Sequence, residues 1–568
     1  MMRSDLLALV VVALGALGAT VASGRGSDDP PPAELVLMNG KVVTLDERSS
    51  IAQAIAIQGG KVQAVGTSDR IRGYVGPSTQ VVDLGGRTVI PGLADNHMHN
   101  EGGGPGIDLS RTRSIAAVLA QVRAAARNAK PGDVLVSNAD WHEAQLAEQR
   151  LPLATELEGA APGIPLVLLR GGHDYILNTA ALTKWNISPA TPVPASGAIP
   201  RDADGRLTGE LVDSARSLVK LPPPPPVTIG DLLKTQRVLN AVGITSARVP
   251  GFYRGDIFND YQLMKQLRDS GRLSIRYSVL MDAFNPDLEV FKAKVAAAGI
   301  KPGEGDEWLR VWGAKTGVDG GFEGAHMTVP YQESHGQGGS FRGLQTIPQA
   351  RYETLVVGLN RLGWRVATHA VGDAAVDEVL QGYEKANADK PIAQQGWAIE
   401  HATITRPDQF PRIKALKLRL SLQDHLYLVA PILTNYWGAT RAAQVTPAKT
   451  YADAGFQISG GTDTPVVPYS PFFAMYHFLT RDTISAGVYG ANQALHSREQ
   501  VLRLFTVNYA QLTDESEIKG SIEPGKLADI VVLSADCMTV PDKQVESLKA
   551  LATYVGGKLV YHDAGFNP

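Results

Sequence analysis

Between residues 91 and about 508 the chain alternates short apolar runs with helical stretches, and most of the apolar runs end in residues able to do chemistry. The candidate strands are PLVLLRG at 165–171, GITSARV at 243–249, then IRYSVLM, LRVWGAKTG, WRVATHA, WAIEHAT, LRLSLQDH and FQISGGTD. Helical periodicity marks 114–130, where Val118, Leu119 and Val122 stand among alanines, and 261–270. Such alternation over this length predicts an α/β fold, a (β/α)8 TIM-like barrel. In that architecture chemistry gathers at the C-terminal mouth of the strands. Residues 100–211 exceed one β/α unit and predict an insertion near the mouth. The run LPPPPPV at 221–227 reads as a stiff, extended linker.

The segment that enters this region, VIPGLADNHMH, delivers His97 and His99 one residue apart. If it ends as a strand, the period of two puts both imidazoles on one side, within reach of one metal ion, with Met98 pointing away. A single such pair is weak in a chain with 12 histidines, and a histidine closing an apolar strand is often a hydrogen-bonded core residue. The pair is followed, however, by Lys315 in VWGAKTGVDG, His369 in VATHAVGD, His401 in AIEHATI and Asp463 in SGGTDTP. A lysine buried at a strand end is costly unless its charge changes. Carboxylation by carbon dioxide would make Lys315 an anionic oxygen ligand able to bridge two metals; a salt-bridged or substrate-binding lysine is the alternative.

Residues 34–89 alternate apolar and polar positions in short runs punctuated by Gly40, Gly59-Gly60 and Gly85-Gly86, the pattern of a small antiparallel sheet. The same pattern returns at 520–561. The phrases GGKVQAVG and GGKLVYHD read as two hairpins of one sheet, so residues 34–90 and 516–568 are expected to form one β-sandwich, with the barrel at 91–515 between them. Residues 1–23 read as a secretory signal, apolar or small from Leu6 to Ala22 with a small-residue site at Thr20-Val21-Ala22, and 24–33 as a linker. A short membrane anchor is the competing reading. A cleaved signal predicts a secreted or periplasmic protein with no membrane span in the mature chain.

At 568 residues, 44% hydrophobic and 20% charged, the chain suits a large soluble catalytic domain with accessory layers. A net charge of −3 without a basic cluster argues against nucleic-acid binding. The single cysteine excludes internal disulfides and a thiolate-rich metal site, so any metal is held by nitrogen and oxygen.

In order and spacing the sequence resembles the amidohydrolase superfamily, and within it amidohydrolase family 3, the deformylase-like and exoenzyme-regulator-like proteins. The resemblance runs from about residue 34 to 561 through PGLADNHMH, THAVGDAAVDEVLQGYE, IEHAT, LSLQDH, SGGTDTPV and KGSIEPGKLADIVVL, with shorter echoes in RGGHDYILNTAAL and RDADGRLTGEL. It implies metal ligation by His97, His99, His369 and His401, with Lys315 as a carboxylated bridge and Asp463 touching metal and moving the proton. His173, Gln423 and His425 fall at positions that face the substrate. The implied cofactor is zinc or a similar divalent ion, one or two per site, which suits imidazole and carboxylate donors. The chain departs from the pattern in GGFEGAH, which follows Asp319, and in Asp424, which replaces a proline.

The expected function is hydrolysis of a C–N, amide-type bond of a small molecule by metal-activated water. Esters and carbamate-like carbonyl compounds are the alternative substrates. A non-catalytic binding protein on the same barrel would have lost ligands, and a barrel glycosidase would need paired acids where this chain has histidines. A homodimer is compatible with the sequence. His326 and His335 lie in a glycine-rich stretch at 317–343, expected to be a lid or a solvated loop. Asp373 and Glu400, beside His369 and His401, are candidates for orienting them or for capping helices.

Overall fold

A computed structural model describes residues 30–100, 106–223, 225–251, 256–332, 338–467 and 469–568. The expected signal segment lies outside the described residues. Eight strands form one sheet in chain order: β1 (Leu93–Asp95), β2 (Ile244–Val249), β3 (Arg276–Asp282), β4 (Leu309–Gly317), β5 (Val366–Ala370), β6 (Ala398–His401), β7 (Arg419–Gln423) and β8 (Ile458–Gly461). Every neighbouring pair is parallel. The ends of the sheet approach each other: the Asn96 amide donates to Gly460 O at 3.3 Å, its side chain to Ser459 O at 2.6 Å, and Thr462 Oγ1 to Asp95 at 2.6 Å. The result is the expected TIM-like barrel, nearly closed.

The strands are buried almost throughout, as continuous apolar runs must be when helices cover the outside and side chains fill the inside. Leu280, Trp312, Ala367, Ala398 and Leu512 pack together as an apolar layer. The Arg248 guanidinium lies 4.1 Å from the centre of the Trp312 ring and pairs with Glu400 at 2.6 Å. Helices 229–240, 257–269 and 288–297 start on Thr228, Asp256 and Asp287, whose side chains accept first-turn amides.

The run at 165–171 is not a barrel strand. Leu166–Arg170 lies inside a separate five-stranded sheet with Leu135–Val136, Asp174–Leu177, Glu210–Asp213 and Gly197–Ala198. Its apolar composition suits a strand buried on both faces in either setting, so composition could not tell the two apart. This sheet and the helices Ile115–Ala126, Ala154–Ala160 and Thr179–Lys184 make up the chain between β1 and the proline-rich segment before β2.

Both chain ends meet in a six-stranded sheet, where Ile530–Leu533 pairs antiparallel with Thr88–Pro91. A four-stranded sheet of Leu35–Met38, Ala54–Gln58, Lys61–Gly66 and Gln80–Asp83 packs on it through Leu37, Ile57, Val89, Ile530 and Tyr554. GGKVQAVG and GGKLVYHD therefore belong to different sheets, Lys61–Gly66 to the smaller and Lys558–His562 to the larger. They resemble each other because each is the second strand of a hairpin opened by a Gly-Gly turn. Among the described residues no helix is long and apolar enough to cross a membrane.

Candidate active site

At the C-terminal mouth of the barrel, His97 and His99 follow β1, Lys315 lies in β4, His369 in β5, His401 ends β6, and Asp463 follows β8. Met98, between the two histidines, is buried in the large outer core. His401 and Asp463 sit at φ 72° and 60°, in the left-handed region that non-glycine residues occupy at a cost. Such strain persists where the surrounding structure over-determines it, as at functional sites.

Each of the four imidazoles has one ring nitrogen tied to an acceptor. His97 Nδ1 donates to Glu400 at 2.6 Å, His99 Nδ1 to the Gly251 carbonyl at 2.6 Å, and His401 Nδ1 to Gln423 Oε1 at 2.6 Å. His369 is turned the other way, its Nε2 donating to the Gly320 carbonyl at 3.1 Å. A neutral ring tied in this way presents its lone pair at Nε2 in His97, His99 and His401 and at Nδ1 in His369. Burial, helped by the charge of Lys315, pushes His97 down to about 4. Burial also holds His369 and His401 well below the usual imidazole range, so all three are neutral near pH 7.

Asp463 is the point on which these rings converge. Its Oδ1 lies 3.4 Å from His97 Nε2 and 3.2 Å from His99 Nε2, and its Oδ2 lies 2.9 Å from His425 Nε2. Burial alone would raise this carboxyl, but the imidazoles around it, with the hydrogen bond from His425, hold it well below the carboxylate range. Since an ionised carboxylate only accepts, His425 Nε2 is the donor in its pair. Between Oδ1 and the lone pair of His97, by contrast, the contact is repulsive unless a cation shares it. The potential ligand atoms of His97, His99 and Asp463 lie within 4.8 Å of one another, as do those of His401, His425 and Asp463. The donor set, all nitrogen and oxygen, fits a divalent ion such as zinc.

Lys315 is 2% exposed and makes no ion pair with an acid among the described residues. Burial pushes its amine down to about 8. The Phe284 ring, 47% exposed at the rim, lies 5.7 Å from its Nζ.

A cavity of about 620 Å³ opens over these groups and is lined by His97, His99, Lys315, His369, His401, His425 and Asp463. His173 lines it too, its ring 5.4 Å from that of His369 and its Nδ1 2.6 Å from Asp213. Gln423, expected among the substrate-facing residues, does not line the cavity. It is buried beneath it, accepting from His401 and donating to Asn96 and Ser421 at 3.1 and 2.9 Å. Gln423 is the last residue of β7, and its bonds to His401 and Asn96 keep it inside the barrel below the mouth. Glu400 orients His97, across the barrel, and not its neighbour His401. Asp373 accepts from Thr328 N at 2.9 Å and pairs with Arg406 at 3.1 Å, remote from the His369 nitrogens.

The first half of the glycine-rich stretch is a packed wall and not a solvated excursion. Phe322, Ala325, Met327 and Tyr331 are buried against helix Leu426–Trp437, and Gly321, Phe322 and Glu323 face the cavity. A Cβ on Gly321 would lie 2.9 Å from the His173 ring and 2.7 Å from Glu323 Oε1, so this departure from the family pattern leaves room for His173. His326 bonds Glu378 at 2.5 Å and does not line the cavity, and His335 lies outside the described residues. Sequence reasoning missed Arg248, which neutralises Glu400. It also missed Arg170, which lines the cavity and meets Glu143 at 3.0 Å and Glu323 at 2.9 Å. An arginine inside an apolar strand, as in SARV and VLLRG, is the signal that pointed to both.

A model described as the amidohydrolase family matches residues 80–561. N-substituted formamide deformylase of Arthrobacter pascens is 28% identical, over 94% of this chain and 99% of its own. Protein LONG AFTER FAR-RED 3 of Arabidopsis thaliana is 27% identical, over 93% of this chain and 92% of its own. An uncharacterized metal-dependent hydrolase from Pyrococcus horikoshii has the same fold, with a TM-score of 0.65 and 24% identity, covering 90% of this chain and 99% of that one.

Proposed function

The chain belongs to the amidohydrolase family and is a metal-dependent hydrolase, and from that premise we propose that it cleaves a C–N, amide-type bond of a small molecule at the barrel mouth. The observation that carries this reading is the convergence of His97, His99 and His425 on the ionised Asp463. His97, His99, His369, His401 and Asp463 would hold a divalent ion, zinc in our reading, and a carboxylated Lys315 would let the site hold two. When bound, such an ion supplies Lewis acidity towards the scissile carbonyl and lowers the pKa of the attacking water.

The protein's own groups manage the proton and the geometry. Asp463, kept ionised, takes the proton of the attacking water at Oδ1 and delivers it to the leaving nitrogen, which departs as an amine. His425, through its bond to Oδ2, holds that carboxylate in one orientation. Glu400, the Gly251 carbonyl and Gln423 fix the tautomers of His97, His99 and His401, so that each presents a lone pair at Nε2. His173, fixed by Asp213, presents its Nε2 edge to the substrate. Water and amide become a carboxylic acid and an amine, with no other reactant.

The name of the bacterial relative, N-substituted formamide deformylase, supports an amide-type bond. The test is release of amine from a panel of N-acyl amino acids and N-substituted formamides. The expected result is turnover that a chelator abolishes and added zinc restores, with kcat falling at least about 100-fold in Asp463→Asn. Turnover indifferent to both treatments would overturn the reading.

A further inference from the structure

We propose that Arg216 forms an anion subsite in the active-site cavity and that the substrate is an amide carrying a carboxylate away from the bond that is cut. The substrate half of this rests on the hydrolytic reading above; the subsite itself does not. Arg216 lies in the short 3₁₀ turn Ser214–Leu218, which the insertion sheet hands to the mouth, and it lines the same cavity as the histidines and Asp463.

Its surroundings are those of a guanidinium held ready for a partner. Nε donates to the Asp213 carbonyl at 3.0 Å and Nη1 to the Gly172 carbonyl at 2.5 Å, while the Tyr175 ring lies 5.5 Å beneath the guanidinium carbon. These contacts fix the plane without neutralising the charge. No acid pairs with Arg216 among the described residues. The carboxylate of Asp213 is engaged by His173 Nδ1 at 2.6 Å. The other cavity-lining arginine is the opposite case: Arg170 is buried and meets Glu143, Asp174 and Glu323. Only two of the five guanidinium donors of Arg216 are used, and three remain for an anion, both of those on Nη2 and one on Nη1.

A half-buried charge without a counterion is unfavourable, and a carboxylate on the ligand removes that cost. Because the guanidinium is already anchored on two carbonyls and an aromatic face, little freedom is lost when it binds. Val136, Tyr175, Leu221 and Pro222 line the cavity with it, so the stretch of substrate between the carboxylate and the amide is apolar. A cavity of about 620 Å³ accommodates a molecule that reaches Asp463 and Arg216 at once. Amides that carry a carboxylate at the far end of an aliphatic or arylalkyl chain have this form.

The test begins with ligands that have no bond to cut. Metal-loaded protein is titrated calorimetrically with 4-phenylbutyrate and with 4-phenylbutan-1-ol. The expected result is binding of the acid about 10- to 100-fold tighter than the alcohol, a preference that Arg216→Gln abolishes and Arg216→Lys, which keeps the charge but not the guanidinium, retains in part. Equal binding of acid and alcohol by the unaltered protein overturns the subsite. So does a preference that survives Arg216→Gln, because the carboxylate is then held at the metal ligands. The second measurement compares kcat/KM for an N-acyl-6-aminohexanoate and its neutral carboxamide. The charged substrate is expected to be better by a similar factor, lost in Arg216→Gln through KM. Hydrolysis of both at equal kcat/KM overturns the subsite, whereas an Arg216-dependent carboxylate preference in a protein that hydrolyses no amide supports the subsite and overturns the hydrolytic reading.

Discussion

Gln423 and His401 meet through one hydrogen bond of 2.6 Å, and that bond decides which nitrogen of His401 faces the mouth. Gln423→Ala removes the acceptor without exposing a charge, so the ring is freed to rotate and to change tautomer. Metal affinity is expected to fall about 10- to 100-fold, measured by competition with a chromogenic chelator, with KM unaffected once metal is saturating. A raised KM at full metal occupancy would return Gln423 to the substrate-contacting set. Titration of the same rings sets a pH dependence. His97 is pushed from 6.5 to about 4 in the folded protein, so between those values the unfolded chain binds more protons and stability falls as pH falls. For His97 alone the loss approaches about 3 kcal/mol by pH 4, and His369 and His401 act in the same direction. Urea unfolding of metal-stripped protein should therefore show flat stability between about pH 6.5 and 8, below the range where Lys315 titrates, and a decline below pH 6.5; stability rising on acidification from 6.5 to 4 would contradict the neutral, buried assignment. The ring residues themselves were legible in the sequence because each closes an apolar strand. Their partners were not, since His97 and Glu400 are 303 positions apart and meet only when the barrel closes.

The loop after β4 and the insertion turn at 171–174 touch at Gly321 and His173. Gly321→Ala places a methyl group 2.9 Å from the His173 ring, and because the loop behind it is packed, the ring must give way. The expected effect is a loss in kcat/KM of up to about 100-fold with little change in the unfolding midpoint, measured on the same samples. Unaltered kcat/KM would place His173 outside the substrate's reach. Seven of the strands read from the sequence became barrel strands, while the apolar run at 165–171 went to the insertion sheet. Burial on both faces looks the same in sequence whichever sheet supplies it. The glycine-rich loop misled for a related reason: glycines at 317–343 suggest a solvated excursion, yet Gly320, Gly321 and Gly324 are spaces into which Asp213, His173 and Glu323 press.

Across the whole molecule, the barrel is tied to the terminal sheets by Arg276 of β3 and Asp529, whose bonds of 2.7 and 3.0 Å are buried. Arg276→Leu leaves Asp529 without its partner, and the midpoint of denaturant unfolding should drop by the equivalent of about 3–5 kcal/mol. Retention of the midpoint would show that the sheets are held to the barrel by apolar packing alone. That both chain ends lie in one sheet was legible from their shared grammar of hairpins; which sheet each hairpin joins depends on the pairing of Thr88–Pro91 with Ile530–Leu533, a contact no local pattern reports. The residues at the mouth assemble into one centre only in this closed form, and whether that centre holds metal through Lys315 is measured most directly by elemental analysis of the purified protein and of Lys315→Ala. Two equivalents of zinc or a similar ion in the first, falling to one or none in the second, is the expected result. The absence of metal from both, after purification without chelator and reconstitution with zinc, would contradict it.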